Sequence, residues 1–214
     1  MRPMANAQLA SYVTESIGIF DTIPAARKER LTQIAQYVAQ CHRQGQPAKL
    51  TFICTHNSRR SHMSQIWAQT AALWYGVPQV RTYSGGTEAT AFNPQAVKTL
   101  AQAGFEIEQI TESDNPVYRI IIADEIPPLE AFSKVYNQSP NPTEGYCAVM
   151  TCSEADEACP VVFGAAKRVS IPYKDPKEYD GTERETEAYA ERCRQISSEM
   201  LYAFSLLAQP KASE

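Results

Sequence analysis

One short segment, Cys54-Thr-His-Asn-Ser-Arg-Arg60-Ser61, brings a thiol, a guanidinium and a hydroxyl together within eight residues. The run before it, Leu50-Thr-Phe-Ile, is apolar and β-branched and reads as a buried strand. After it, Met63, Ile66, Trp67, Ala71 and Trp74 recur at helical spacing as far as a stop at Gly76-Val-Pro78. A loop that curls from a strand into a helix start aims its peptide N–H groups at one point, where the helix dipole also favours negative charge. Such a loop holds a tetrahedral anion and favours a thiolate at the same place. The chemistry implied is nucleophilic attack by Cys54 on an oxyanion cradled by Thr55, His56, Asn57, Ser58, Arg59 and Ser61. Arg60 would add a bidentate fork, and the Ser61 hydroxyl a donor to the sulfur. In a chain of this composition, Cys-x5-Arg-Ser/Thr is expected by chance about 0.05 times, and it occurs once.

Displacement at such a centre also needs an acid, because an unprotonated alkoxide or hydroxide leaves poorly. Asp175-Pro176 stands in the loop after the last expected strand, so in a parallel sheet it and Cys54 would both lie at carboxyl ends of strands, where crevices form. Asp180 and Asp124 are the rival acids without that placement. Of the remaining cysteines, Cys152 and Cys159 flank the polar stretch Ser-Glu-Ala-Asp-Glu-Ala directly after a strand. A zinc site built on Cys147, Cys152 and Cys159 would lack a C-x2-C knuckle, and there are only three histidines, so no metal is expected. Cys41, Cys147 and Cys193 sit on apolar stripes or strand faces and read as core thiols.

The elements that must position these groups alternate. An amphipathic helix is expected over Pro24–Arg43, strands at 50–54 and 80–83, a helix opening at Asn93-Pro94, and strands at 146–151 and 167–171. A long final helix carries Tyr189, Cys193, Ile196, Met200, Phe204 and Leu207 on one stripe. That order implies β-α-β units and a parallel α/β sheet. Between 115 and 145 the pattern changes to two short strands around Pro127-Pro128, read as an inserted hairpin. The domain reading is a helical extension at 1–46 and one α/β domain at 47–214. A net charge of −4 gives no footprint for nucleic acid or an acidic membrane surface. No apolar run approaches the roughly 20 residues of a membrane span, and six scattered cysteines do not form a secreted disulfide framework, so a cytoplasmic location is expected.

Four elements together, Cys54 to Ser61, Tyr83-Ser-Gly-Gly-Thr-Glu-Ala89 with Asn93-Pro94, Cys152 to Cys159-Pro160, and Asp175-Pro176, resemble the low-molecular-weight protein tyrosine phosphatases. Within that fold they resemble the thioredoxin-coupled arsenate reductases. The resemblance spans roughly 50–207. It implies a three-layer α/β sandwich with a central four-stranded parallel sheet, plus the N-terminal helix and the inserted hairpin as additions. It also implies roles: Cys54 attacks arsenate, Asp175 protonates the leaving oxygen, Cys152 attacks Cys54 and releases arsenite, and Cys159 closes a disulfide with Cys152. No bound cofactor is implied, and thioredoxin would be the reductant. One alternative is a phosphatase working on a phosphoester through a Cys54 phosphocysteine, and another a non-catalytic protein that binds an anion or senses redox state through these thiols. Two positions depart from the family: His56 stands where glycine is usual, where it would either tighten the pocket or demand modest left-handed strain, its imidazole being able also to bind substrate, and Arg59 stands where cysteine is common and is expected to face solvent, as an extra cation at the mouth that favours anion capture.

Overall fold

A computed structural model describes residues 4–124, 126–158 and 161–208. In chain order the elements are α1 (Ala7–Ile17), α2 (Ala25–Arg43), β1 (Ala48–Cys54), α3 (Arg60–Trp74), β2 (Val80–Gly86), α4 (Pro94–Gln102), β3 (Glu106–Gln109), β4 (Tyr118–Ile121), β5 (Leu129–Ala131), β6 (Tyr146–Met150), α5 (Ser153–Ala158), β7 (Ala165–Ser170) and α6 (Glu185–Ser205). The main sheet has the order β2-β1-β6-β7 and every pairing in it is parallel, with Cys54 opposite Gly86 and Ile53 opposite Met150. All four strands therefore point one way, and the segments that follow β1, β6 and β7 emerge along one edge.

Strand β1 is buried at every position but Lys49, as a central parallel strand must be. Leu50, Phe52, Cys147, Val149 and Val169 face a large core shared with α2, α3 and α6, in which Trp67 stacks on Tyr12 at 5.2 Å and meets Phe105 edge-on at 4.9 Å. Ile53, Cys54, Tyr146, Ala148 and Met150 pack in a second cluster with Cys152, Ala155 and Val162, against which Tyr136 rests. Helix starts follow local chemistry: Asn93 Oδ1 accepts from Gln95 N and Ala96 N ahead of Pro94, and Asn6 Oδ1 accepts from Leu9 N.

The segment read as a hairpin does form one, β4 with β5, but β3 joins it to make a three-stranded antiparallel sheet, with Glu106 opposite Ile121 and Tyr118 opposite Ala131. The sequence reading omitted β3 because Glu-Ile-Glu-Gln offers one apolar residue and no buried face. This small sheet is part of the main core, since Ile120 and Ala131 are fully buried in it. Helix α1 was also unanticipated. It is sewn to α6 by Arg194, which donates to Tyr12 O and Ser16 Oγ, and by the Ser16–Ser197 hydroxyl pair at 2.8 Å. Among the described residues no helix is long and apolar enough to cross a membrane.

Helix α2 reaches the site side of the molecule through Arg27. Its guanidinium pairs with Glu199 at 2.8 Å and donates to the carbonyls of Ile171 and Pro172, so it braces the chain leaving β7. The partners' side chains are 14% and 4% exposed, so removing one leaves a nearly buried charge alone. Arg27→Met should lower stability by about 3–5 kcal/mol, and Arg27→Met with Glu199→Met should recover much of it, as read by urea unfolding.

Candidate active site

The segment after β1 forms a tight loop around Asn57. Asn57 is fully buried and holds φ at 45°, in the left-handed region that asparagine tolerates better than most residues. Its Nδ2 donates to Ser61 Oγ at 2.9 Å, its Oδ1 accepts from the Lys134 peptide N–H at 2.9 Å, and Ser61 Oγ lies 3.1 Å from Cys54 Sγ. Gly86 lies alongside, and a Cβ there would meet Thr55 O at 2.5 Å and Asn57 N at 2.7 Å, so only glycine lets β2 run this close. Helix α3 begins at Arg60 after Arg59, and no side chain caps its first turn, which leaves that ring of N–H donors directed into the loop.

Cys54 is 3% exposed at the floor of this loop. Arg60, 5% exposed, donates from one amino group to Tyr173 O at 3.0 Å, contacts Glu154 at 3.6 Å, and pairs through the other with Asp175 Oδ2 at 2.7 Å. Asp175 is held in place by Lys177 N, which donates to its Oδ1. A cavity of about 300 Å³ opens beside Arg60, lined also by Glu154, Tyr173, Lys174, Asp175 and Glu178. Guanidinium and carboxyl group, from positions 60 and 175, thus pair along the edge where the parallel strands end, and Cys54 closes β1 at that same edge.

Cys152 follows β6 directly and is fully buried in the same apolar cluster as Cys54. Its sulfur lies 3.5 Å from Thr55 Oγ1 and accepts from Ala155 N at 3.3 Å. Burial pushes this thiol up, an effect opposed by those two hydrogen bonds and by Arg60. Helix α5 spans the polar stretch after it and is tied to β7 by Asp156, which accepts from Ser170 Oγ at 2.6 Å and pairs with Arg168. Cys159 and Pro160 lie outside the described residues. Cys41, Cys147 and Cys193 are buried, with Cys193 Sγ accepting from Trp67 Nε1 at 3.3 Å. Among the described residues no group of His, Cys, Asp or Glu is arranged to hold a metal.

Two expectations for the loop are corrected. The left-handed residue is Asn57, whereas His56 has ordinary backbone and turns its imidazole out to Glu88, 2.9 Å away. Arg59 does not face solvent: its side chain is 10% exposed, donates to Tyr189 OH at 2.7 Å and to Asp180 Oδ2 at 3.2 Å, and lies 4.0 Å from Asp175. A charged side chain this enclosed is held by partners 121 and 130 residues away, which no local pattern announces. Asp180, set aside as an acid, stands beside Asp175 through that arginine. Tyr189, read only as part of the helix stripe, also donates to Asp180 Oδ1 at 2.8 Å.

A family model described as low molecular weight phosphotyrosine protein phosphatase matches residues 49–124. Over 154 residues, 72% of this chain and 92% of the relative, the sequence is 30% identical to an arsenate reductase of Bacillus subtilis. The chain belongs to the low-molecular-weight phosphotyrosine protein phosphatase family. An arsenate reductase of Bacillus licheniformis matches over the same span with 29% identity. In fold, this low-molecular-weight phosphatase relative is similar to the crystal structure of a YwlE mutant from Bacillus subtilis, with a TM-score of 0.53 and 16% identity over 76% of this chain and 99% of that one.

Behind the loop lies a buried basic group. Lys134 is 5% exposed, donates to Phe132 O at 3.0 Å, and burial brings its ammonium down to about 8 from the ordinary 10.5. His62, fully buried and stacked on Phe92 at 4.0 Å, is pushed well below the usual imidazole range by burial and then by Lys134, and so is neutral. Between pH 8 and 10.5 the unfolded chain keeps the lysine proton that the folded chain has released, so this group makes stability rise with pH across that window. In urea unfolding, the stability of the unaltered chain relative to Lys134→Met should therefore increase by about 1.5 kcal/mol from about pH 8 to about pH 9.5.

Proposed function

We propose that this chain is an arsenate reductase in which Cys54 is the nucleophile, Asp175 the acid, and Cys152 with Cys159 the thiol pair that carries the oxidation away. The observation that carries the reading is the burial of a second thiol, Cys152, in the cluster that contains Cys54, at 3.5 Å from the loop hydroxyl of Thr55. Hydrolysis of a phosphoester needs one thiol. Reduction of As(V) takes two electrons and needs a second.

Arsenate would enter the loop against the first-turn N–H groups of α3, and Arg60 would turn one fork from Asp175 to the oxyanion. The Cys54 thiolate attacks arsenic, and a hydroxyl leaves as water with a proton from Asp175. The Cys152 thiolate then attacks Cys54 Sγ. The S–S bond forms, the S–As bond breaks, and its electron pair stays on arsenic, which departs as arsenite. Attack by Cys159 on Cys152 returns Cys54 as a thiolate and leaves a Cys152–Cys159 disulfide, and a dithiol protein of the thioredoxin kind takes up that oxidation. Cys152 is buried and its thiol is raised, so its attack requires α5 to loosen its ties through Asp156 and Glu154.

The phosphatase alternative uses Cys54, Arg60 and Asp175 alone, and one variant separates the two. Cys152→Ser should keep aryl phosphate hydrolysis within about twofold while arsenate-dependent NADPH oxidation, coupled through thioredoxin and thioredoxin reductase, falls to background. Arsenate turnover that survives in Cys152→Ser would remove the relay.

A further inference from the structure

The small antiparallel sheet does not stop at β5. Its exit, residues 133–141, runs back along β2 and the nucleophile loop and is hydrogen-bonded to both. Lys134 O accepts from Gly86 N at 2.8 Å, Tyr136 N donates to Gly86 O at 2.9 Å, and Asn141 Nδ2 donates to Ser84 O at 2.9 Å. A Cβ on Gly85 would meet the Tyr136 Cα at 2.2 Å, so this strap lies directly on the β2 backbone. Its first residue, Ser133, is 2% exposed: the hydroxyl donates to His56 O at 3.0 Å and accepts from Thr90 N at 2.8 Å. Asn115, at the other end of the excursion, closes the base by accepting from Ser133 N at 3.0 Å and donating to Ser133 O at 2.8 Å.

The strap's next peptide decides a hydrogen-bond direction at the nucleophile. The Lys134 N–H can only donate, so the Asn57 atom facing it must be Oδ1. That leaves Nδ2 facing Ser61, whose oxygen accepts from it, and the Ser61 hydroxyl proton is then free for only one neighbour, Cys54 Sγ. With the amide unconstrained, Asn57 could turn over, Ser61 would donate to it instead, and the sulfur would lose its donor.

We propose that Asn115 and Ser133 are positioning residues for Cys54, which fix the Lys134 peptide against Asn57 and through it point the Ser61 hydroxyl at the sulfur. The inference rests on Cys54 being the nucleophile, but holds equally for reduction and for phosphoester hydrolysis. Neither residue touches substrate, and neither carries charge. The charged and titratable groups around the relay include Arg60 and His62 on α3, His56 in the loop with its partner Glu88, Lys134 on the strap, Cys152 after β6 and Asp175 after β7. The substitutions below replace none of them, so a shift in the alkylation midpoint reports the hydrogen bond.

The test is the pH dependence of Cys54 alkylation by iodoacetamide, read by peptide mass spectrometry, in the full chain and in Asn115→Ala, Ser133→Ala and Ser133→Thr, each checked for folding by circular dichroism. The two alanine variants should move the alkylation midpoint up by about half a pH unit or more and lower kcat for aryl phosphate by about tenfold with a smaller change in KM. Ser133→Thr, which keeps the hydroxyl, should stay close to the parent. Midpoints unchanged in the folded variants, or a threonine variant as impaired as alanine, overturn the proposal. Should Ser133→Ala not fold, Asn115→Ala carries the same test from the outer end of the strap. Because alkylation needs no turnover, a chain without activity would count against the catalytic reading and leave the positioning result legible.

Discussion

Everything at this site depends on a buried asparagine in a left-handed conformation. Asn57 turns the chain after β1 so that α3 starts beneath the loop, and its two side-chain atoms are both committed, one to the Lys134 peptide and one to Ser61. A left-handed non-glycine residue costs roughly 1 kcal/mol or more and persists only where its surroundings over-determine it. Here the surroundings are the Gly86 backbone, which admits no side chain, and the strap that follows β5. The strain is local and its result is directional: the Ser61 hydroxyl is set against the Cys54 sulfur.

Around that loop the parallel sheet supplies the other partners by geometry alone. Because β1, β6 and β7 run the same way, Cys54, Cys152 and Asp175 each emerge at the same edge. Arg60 joins two of them, through its pair with Asp175 and its position over the loop, and Glu154 links it to α5, which follows the second thiol. The guanidinium is met by two carboxylates and the Tyr173 carbonyl. One side chain thus links the carboxyl group after β7 to the flank of α5.

The order of strand, loop and helix around Cys54 was legible because its determinants are adjacent in sequence: a β-branched run, a polar turn, then a three-and-four repeat of apolar residues. The alternation that follows made the parallel sheet legible as well, and the family resemblance singled out Asp175, which the fold sets against Arg60. What escaped was everything fixed by distant partners. Arg59 reads as a surface cation, yet Tyr189 and Asp180 enclose it. His56 drew attention as a departure from glycine, while the strained residue is its neighbour, whose type alone could have signalled a left-handed turn. The excursion from 115 was legible as strands, but its closeness to the Cys54 loop rests on Asn115, Ser133 and Lys134, and polar residues in a loop carry no mark of what they will bond.

The central claim is that Cys54 makes the covalent bond to the oxyanion. Rapid acid quenching of the enzyme during aryl phosphate turnover, followed by peptide mapping, reads this directly. The account predicts one phosphoryl group on the peptide carrying Cys54, absent from Cys54→Ser and accumulating when Asp175 is replaced by asparagine under conditions where breakdown is limiting. A phosphoryl group on any other residue, or turnover by Cys54→Ser equal to that of the unaltered chain, would contradict it.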